Sequence, residues 1–217
     1  MADFKELIQN SQSFTVLSMP GVGVSYFLRY LVTRPIAHFF HVDLYSLSAL
    51  TKHEFFKLLY KELTNKQPPK DESQILNFCR KALEEIAKKE EKIAIVFSRF
   101  DQLKKEFTAE FFANLQSLTS IAPTKTCLIF TSIKPLHEIA PEAITGGNLP
   151  FYSKTLYFKP FSKKDIKALL SLEAQYPNFP DNLDELIDLS GGHIQLLHIL
   201  LNSQKEELLL DQFVKMQ

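Results

Sequence analysis

Five short apolar segments, separated by stretches with helical periodicity, constrain the fold of this 217-residue chain more than any other feature. Strands that are apolar along their whole length are buried on both faces, as in a parallel sheet that helices cover on either side. The five segments are Phe14–Ser18, Ala37–Leu44, Ile93–Phe97, Thr126–Thr131 and Thr155–Phe158. We therefore predict an α/β fold in which a five-stranded parallel sheet is flanked by helices.

Helical segments lie between these strands and also follow the last of them. In the intervening stretches apolar residues recur at intervals of three and four, which is the spacing of one helix face. The predicted helices are 23–32, 51–64, 71–89 and 108–121. After Phe161 only helical patterns remain. We predict an α/β core over residues 1–160 and a small helical lid over residues 161–217.

The chain carries 25 Lys and Arg residues against 25 Asp and Glu residues. This balance gives no electrostatic basis for binding nucleic acid or an anionic membrane surface. Residues 1–12 lack the apolar stretch of a signal peptide, and no apolar run reaches the roughly 20 residues that cross a bilayer. Cys79 and Cys127 lie too far apart for a metal-binding pair, and the histidines show no metal-ligand spacing. We predict a cytoplasmic protein with reduced core thiols, no metal site and no membrane contact.

A glycine-containing loop joins the first predicted strand to the first predicted helix. In this setting backbone N–H groups and the helix N-terminus bind phosphate oxygens, and the associated pattern is G-x-x-x-x-G-K-S/T. The loop Pro20–Ser25 keeps the second glycine as Gly23 and the hydroxyl as Ser25. Ser18 stands in place of the first glycine, and Val24 stands in place of the lysine.

The Pro-Gly-x-Gly loop resembles that of the AAA+ and STAND NTPases, including the origin-recognition-like and archaeal-type ATPases. Five further segments resemble features of that superfamily in the same order: its second strand, the Walker B strand, the sensor 1 strand, the entry to the helical lid, and a Gly-Gly-His turn. These segments are His41–Leu44, Ile93–Leu103, Leu128–Ser132, Tyr157–Ser162 and Leu189–His193. The resemblance covers about Phe14 to Leu201 and implies a P-loop NTPase sheet followed by a lid.

The resemblance also implies which residues would contact a nucleotide. The loop and the first turn of its helix would hold the phosphates, and the Gly-Gly-His turn of the lid would face them. These residues are Pro20, Gly21, Val22, Gly23, Val24, Ser25, Tyr26 and His193. The cofactor so implied is ATP or ADP, bound weakly at most. For His193 the alternative is a structural role at the start of a helix, and for Thr131 and Ser132 the alternatives are phosphate contact and capping of a strand end.

Three positions depart from the pattern of a hydrolysing member. Val24 cannot supply the positive charge that the motif lysine brings to the β- and γ-phosphates. Ser98 stands where the resemblance implies the aspartate that organises Mg²⁺, and Arg99 stands where it implies the glutamate that activates water. Serine carries no negative charge for a metal ion, and arginine cannot act as a general base. We therefore predict that the chain has no catalytic residues.

A small shift of the alignment does not restore a missing acid, because no Asp or Glu occurs from Lys92 to Phe100. No arginine follows Arg99, so a sensor 2 arginine is also missing. Two alternatives remain open for Arg99 itself. It pairs with Asp101 or Asp43 and fills the metal position, or it points to solvent.

Together these features predict a pseudo-ATPase that acts as a regulatory or protein-interaction module, with one or more proteins as its partners. The alternatives are an ATP/ADP-binding switch domain and an inactive subunit of a heteromeric AAA+ assembly. In the second case the Phe-rich helical segment is partly an interface rather than the core-facing side of a helix. Its apolar residues are Phe107, Phe111, Phe112 and Leu115.

Overall fold

A computed structural model describes residues 2–69, 74–171 and 180–203 of the chain. The chain packs into two compact units. The first, called the sheet unit below, comprises Met1–Ser18 and Leu28–Tyr157, and the second, called the lid unit, comprises Met19–Phe27 and Phe158–Gln217. The predicted domain boundary between residues 160 and 161 stays a prediction, because these units are defined by packing alone.

The sheet unit contains a five-stranded sheet in the order β2-β3-β4-β1-β5. Every neighbouring pair of strands is parallel, so the predicted fold class is confirmed. The strands are β1 Phe14–Leu17, β2 His38–Asp43, β3 Ile93–Ser98, β4 Thr126–Ser132 and β5 Thr155–Tyr157. The residues of β1, β3 and β4 are buried throughout, as their apolar sequences require in the middle of a covered sheet.

The register of the sheet decides which residues share its carboxyl edge. Asp43 lies opposite Ser98 in the pairing of β2 with β3, and Leu17 lies opposite Ser132 in the pairing of β1 with β4. The amide of Ser18 extends the second pairing by donating to the carbonyl oxygen of Ser132 at 3.1 Å. Consequently the Walker B-like end of β3 is flanked by the ends of β2 and β4.

Among the described residues up to Tyr157, seven α-helices accompany the strands, and threonine side chains cap the starts of two of them. The seven are α1 Ala2–Gln9, α2 Val24–Val32, α3 Lys52–Thr64, α4 Ile75–Ala87, α5 Ala109–Thr119, α6 Leu136–Ile139 and α7 Leu149–Ser153. Thr51 and Thr108 begin α3 and α5, and their hydroxyl oxygens accept from the amides of Glu54 and Phe111. The start that was predicted for α4, at residue 71, lies outside the described residues.

Phenylalanine rings fill the core on one face of the sheet. Phe100 is fully buried, and its ring centroid lies 4.7 Å from that of Phe130 on β4. Other rings in contact with Phe100 belong to Phe55, Phe97, Phe107, Phe111 and Phe112. Phe111, Phe112 and Leu115 are buried among them, so the Phe-rich segment is the core-facing side of α5.

The lid unit is helical in the residues that the structure describes beyond Phe158. Helix α8 spans Lys163–Leu170, α9 spans Leu183–Ser190, and a further helix, α10, occupies residues 194–203. These helices share an apolar core that comprises Ile166, Leu170, Leu183, Leu186, Ile187, Ile194, Leu197 and Leu201. Across the described residues of both units, no helix combines the length and the apolar character that crossing a membrane requires.

Replacing Phe100 with alanine should lower the free energy of unfolding by about 3–5 kcal/mol, because the change removes a fully buried ring and leaves a cavity. Urea unfolding monitored by circular dichroism measures this change. The control is Tyr157→Ala on β5, where the side chain is 74% exposed and the expected change is within about 0.5 kcal/mol. Equal losses in the two variants would contradict the assignment of Phe100 to the core.

Candidate functional site

The loop that follows β1 has the strand–loop–helix form that the sequence predicted. Gly21 and Gly23 adopt φ angles of 76° and 103°, which residues with a Cβ atom rarely adopt. Helix α2 begins at Val24, directly after the second glycine. Ser25 is exposed, whereas the Val22 side chain is buried.

Carbonyl oxygens of this loop are held by residues of its own unit. Nε2 of His193 lies 2.8 Å from the carbonyl oxygen of Pro20. The amide of Gln195 donates to the carbonyl oxygen of Gly21 at 3.0 Å. Nδ1 of the same imidazole accepts from the amide of Leu196 at 3.3 Å, which places the ring proton on Nε2 and makes His193 the donor to Pro20.

The N–H groups of the loop are disposed differently from its carbonyls. Among the described residues, no acceptor is found for the backbone N–H of Gly21, Gly23, Val24 or Ser25. Unpaired N–H groups at a helix start form a concave set of donors that suits an anion. Binding of a phosphate group at these donors stays a prediction.

All the residues that were predicted to contact nucleotide are thus placed in one unit. Residues 20–26 form the loop and the first turn of α2, and His193 lies on the loop rather than apart from it. Their contact with a nucleotide stays a prediction. Sequence reasoning did not identify Gln195, because it contacts the loop through its backbone amide, a group that every residue except proline carries.

At the carboxyl edge of the sheet, Ser98 forms a hydrogen bond with a histidine of the neighbouring strand. Its Oγ lies 2.5 Å from Nε2 of His41, and the Ser98 side chain is buried. Burial lowers the pKa of His41, an effect that the nearby Asp43 and Glu62 oppose and that Arg29 adds to. The imidazole is therefore held in its neutral form, and the pair carries no charge.

Arg99 follows Ser98 in a left-handed conformation, with φ of 59°. Its amide donates to Oγ1 of Thr131 at 2.8 Å, and its guanidinium stacks over the ring of Tyr45 at 4.6 Å. No ion pair of Arg99 with Asp101 or Asp43 occurs within the described part of the chain. Arg99 is exposed and does not fill the metal position, so the structure favours the alternative in which it points to solvent. The Tyr45 ring lies against its guanidinium as a cation–π partner.

The polar groups around this edge have protein partners of their own. Oδ1 of Asp43 accepts from the amide of Tyr45 at 3.2 Å and caps a 3-10 helix over Leu44–Ser46. The Ser132 hydroxyl donates to the carbonyl oxygen of Lys134 and so caps the end of β4, whereas the Thr131 hydroxyl oxygen accepts from the amide of Arg99 in the turn after β3. Within residues 2–69, 74–171 and 180–203, no group of three or more His, Cys, Asp or Glu side chains is placed to hold a metal ion. At the end of β3 itself, the neutral hydroxyl of Ser98 offers Mg²⁺ no charged ligand.

The depressed pKa of His41 predicts how stability depends on pH. An unfolded histidine titrates near 6.5, whereas the folded His41 takes up its proton only at lower pH. The contribution of His41 to the free energy of unfolding should therefore be constant well above the unfolded value of about 6.5. It should decrease as the pH falls through that value, with a slope that corresponds to the uptake of less than one proton. Urea unfolding between about pH 7.5 and 5 measures this slope. His41→Gln should have a shallower slope, and an unchanged slope would contradict the prediction.

Gly21 is predicted to tolerate no side chain. A Cβ at this position would lie 2.2 Å from Oε1 of Gln195 and 2.6 Å from Cε1 of His193, on a backbone with positive φ. Gly21→Ala should therefore destabilise the lid unit by about 1–3 kcal/mol in urea unfolding. The matched control is Gly147→Ala, where no atom lies within 4 Å of the added Cβ and the change should be within about 0.5 kcal/mol. Equal stability of the two variants would show that the loop adopts another conformation.

Comparison with solved structures gives the fold a context. A Walker-type ATPase of Pyrococcus abyssi superimposes with a TM-score of 0.61 at 20% identity, over 99% of this chain and 71% of the archaeal one. The ADP form of the ORC2 protein of Aeropyrum pernix gives 0.62 at 12% identity, over 89% of this chain and 57% of that one. The ORC1 protein of the same organism, solved in complex with DNA, gives 0.57 at 12% identity, over 90% and 56% of the two chains.

No protein-family model matches the sequence, and no curated protein is similar to it in sequence. The chain spans a little over half the length of the two Aeropyrum proteins. At these identities the similarity concerns the fold alone, and the parallel α/β fold of the P-loop NTPase type that the sequence resemblance implied is confirmed.

Proposed function

We propose that this chain is an AAA+-type domain without ATP hydrolysis, which binds a nucleotide weakly at most and acts as a regulatory or protein-interaction module. The observation that carries the proposal is the end of β3. Where the resemblance implies two acids, a neutral Ser98–His41 hydrogen bond is followed by an arginine stacked on Tyr45.

The chemistry of these groups argues against metal-assisted hydrolysis. Mg²⁺ selects charged oxygen ligands in near-octahedral geometry, and a hydroxyl that is already bonded to an imidazole offers no charge. The guanidinium of Arg99 stays protonated in proteins and cannot accept a proton from water. Asp43, which lies opposite Ser98 in the sheet, already uses one carboxylate oxygen as the cap of the following 3-10 helix. Neither Ser98 nor Arg99 therefore supplies the metal-organising acid or the base that the resemblance implies at these two positions.

The loop supports weak binding of phosphate. Its free N–H donors suit a diphosphate, and hydrogen bonds to charged groups contribute about 1.5–3 kcal/mol each before the costs of association. Val24 adds no charge to them, so a dissociation constant of roughly 0.1–1 mM is expected for ADP. An ATP/ADP-binding switch is the second candidate, because lid residues hold the carbonyls of the same loop.

The proposed partners are proteins, since the balanced charge of the chain does not favour nucleic acid. The proposed location is the cytoplasm. It is supported by the two buried cysteines, which remain free as they would in a reducing compartment.

The purified protein should hydrolyse no ATP above the rate of a blank, with or without Mg²⁺, in a phosphate-release assay. Titration calorimetry should give the same weak affinity for ADP in Mg²⁺ and in EDTA, because Ser98 stands in place of the acid that organises the metal ion. Val24→Lys should strengthen ADP binding by about tenfold, since it restores a cation at the phosphates.

Ser25→Ala is the control for the turnover measurement. Robust Mg²⁺-dependent ATP turnover that is lost in Ser25→Ala would overturn the proposal of a pseudo-ATPase. Absence of any heat with ADP at millimolar concentration, in both the natural protein and Val24→Lys, would overturn the nucleotide-binding part alone.

A further inference from the structure

We infer that His193 is a positioning residue that clamps the Pro20 peptide and so orients the N–H of Gly21, one of the unpaired donors of the loop. It rests on the proposed function only for the ligand of the unpaired donors, which we take to be a phosphate group. It assigns His193 to the backbone of the loop rather than to the nucleotide.

Both nitrogens of the imidazole are already engaged by protein groups. Nε2 donates to the carbonyl oxygen of Pro20, and Nδ1 accepts from the amide of Leu196 at the start of α10. A neutral imidazole has one donor and one acceptor, so no further nitrogen remains for a ligand. Direct contact with a nucleotide, which the sequence predicted for His193, would require the ring to leave one of these partners.

The planarity of the peptide bond explains how the clamp acts on the donors. In a trans peptide the C=O and the following N–H point in opposite directions. The hydrogen bond from His193 to the Pro20 carbonyl therefore turns the N–H of Gly21 away from the Gly-Gly-His turn. The hydrogen bond from Gln195 to the Gly21 carbonyl does the same for Val22, whose amide meets the carbonyl oxygen of Met19 at 3.5 Å.

Close packing leaves the clamp little freedom. An added Cβ on Gly21 would lie 2.6 Å from Cε1 of His193, which shows how closely the ring approaches the loop. The turn that carries the histidine is itself tightly placed, because an added Cβ on Gly192 would lie 2.5 Å from the carbonyl oxygen of Phe161. The orientation of the two loop peptides is therefore coupled to the position of the segment that contains the turn.

Two substitutions separate the clamp from the role of His193 at the start of α10. Asparagine places a carbonyl oxygen near the position of Nδ1, so His193→Asn keeps the acceptor for Leu196 but does not reach Pro20. Glutamine places an N–H donor near the position of Nε2, so His193→Gln keeps the donor to Pro20 but loses the acceptor. If His193 only supports the start of α10, the glutamine variant should show faster amide exchange and weaker ADP binding. If His193 clamps Pro20, the asparagine variant should show these changes.

The first measurement is hydrogen exchange, in the unliganded protein, of the two hydrogen-bonded amides that report on these peptides, those of Val22 and Gln195. We expect exchange to be about fivefold faster in His193→Asn, the effect of losing one ordinary hydrogen bond, and within about twofold of the natural protein in His193→Gln. The second measurement is titration calorimetry with ADP, for which we expect an affinity loss of about fivefold in His193→Asn alone.

The outcomes separate this inference from the proposed function. Natural exchange rates in His193→Asn, or equal acceleration in both variants, would overturn the clamp. If the natural protein binds no ADP, the nucleotide-binding proposal fails, and the exchange rates still decide whether His193 orients the loop. Faster exchange in His193→Asn with unchanged ADP affinity would overturn the link between the clamp and the ligand.

Discussion

All five strands of the sheet run in one direction, so the chain leaves β1, β2, β3 and β4 at the same edge. Parallel strands require crossover connections, and helices covering both faces are the usual result. That arrangement buries β3 and β4 completely and concentrates the polar ends of the strands at their carboxyl edge. The loop that starts after Leu17 and the Ser98–Arg99 turn both originate there, because the register of the sheet places their strands side by side through β4.

The chemistry of the β3 end follows from the cost of a buried charge. A carboxylate at the position of Ser98 would lose its hydration on burial and would need a metal ion or a cation as compensation. The Ser98–His41 pair satisfies the same buried polar position without any charge. The polar group at this buried position is therefore satisfied by a hydrogen bond and not by an ion.

Local patterns predicted the five strands and the helices between them, but they predicted neither α1 nor the long-range pairings. Apolar runs and helical periodicity involve neighbours in the sequence, and for that reason they were sufficient for the strands, α3 and α5. The hydrogen bond between His41 and Ser98 joins residues 57 positions apart, and it exists only because Asp43 pairs with Ser98 in the sheet. The stacking of Arg99 on Tyr45 depends on the same register, so the sequence left the place of this arginine open.

The lid-unit packing also changes what the two glycines of the loop signify. Their retention beside Val24 suggested a surviving phosphate site, since phosphate loops need glycine for close backbone approach. In the structure, an added Cβ on Gly21 would meet His193 and Gln195, and one on Gly23 would lie 2.4 Å from Phe161. Packing within the unit therefore requires both glycines whether or not a ligand binds. A phosphate ligand would depend instead on the unpaired donors of the loop, and of these the His193 hydrogen bond orients the N–H of Gly21.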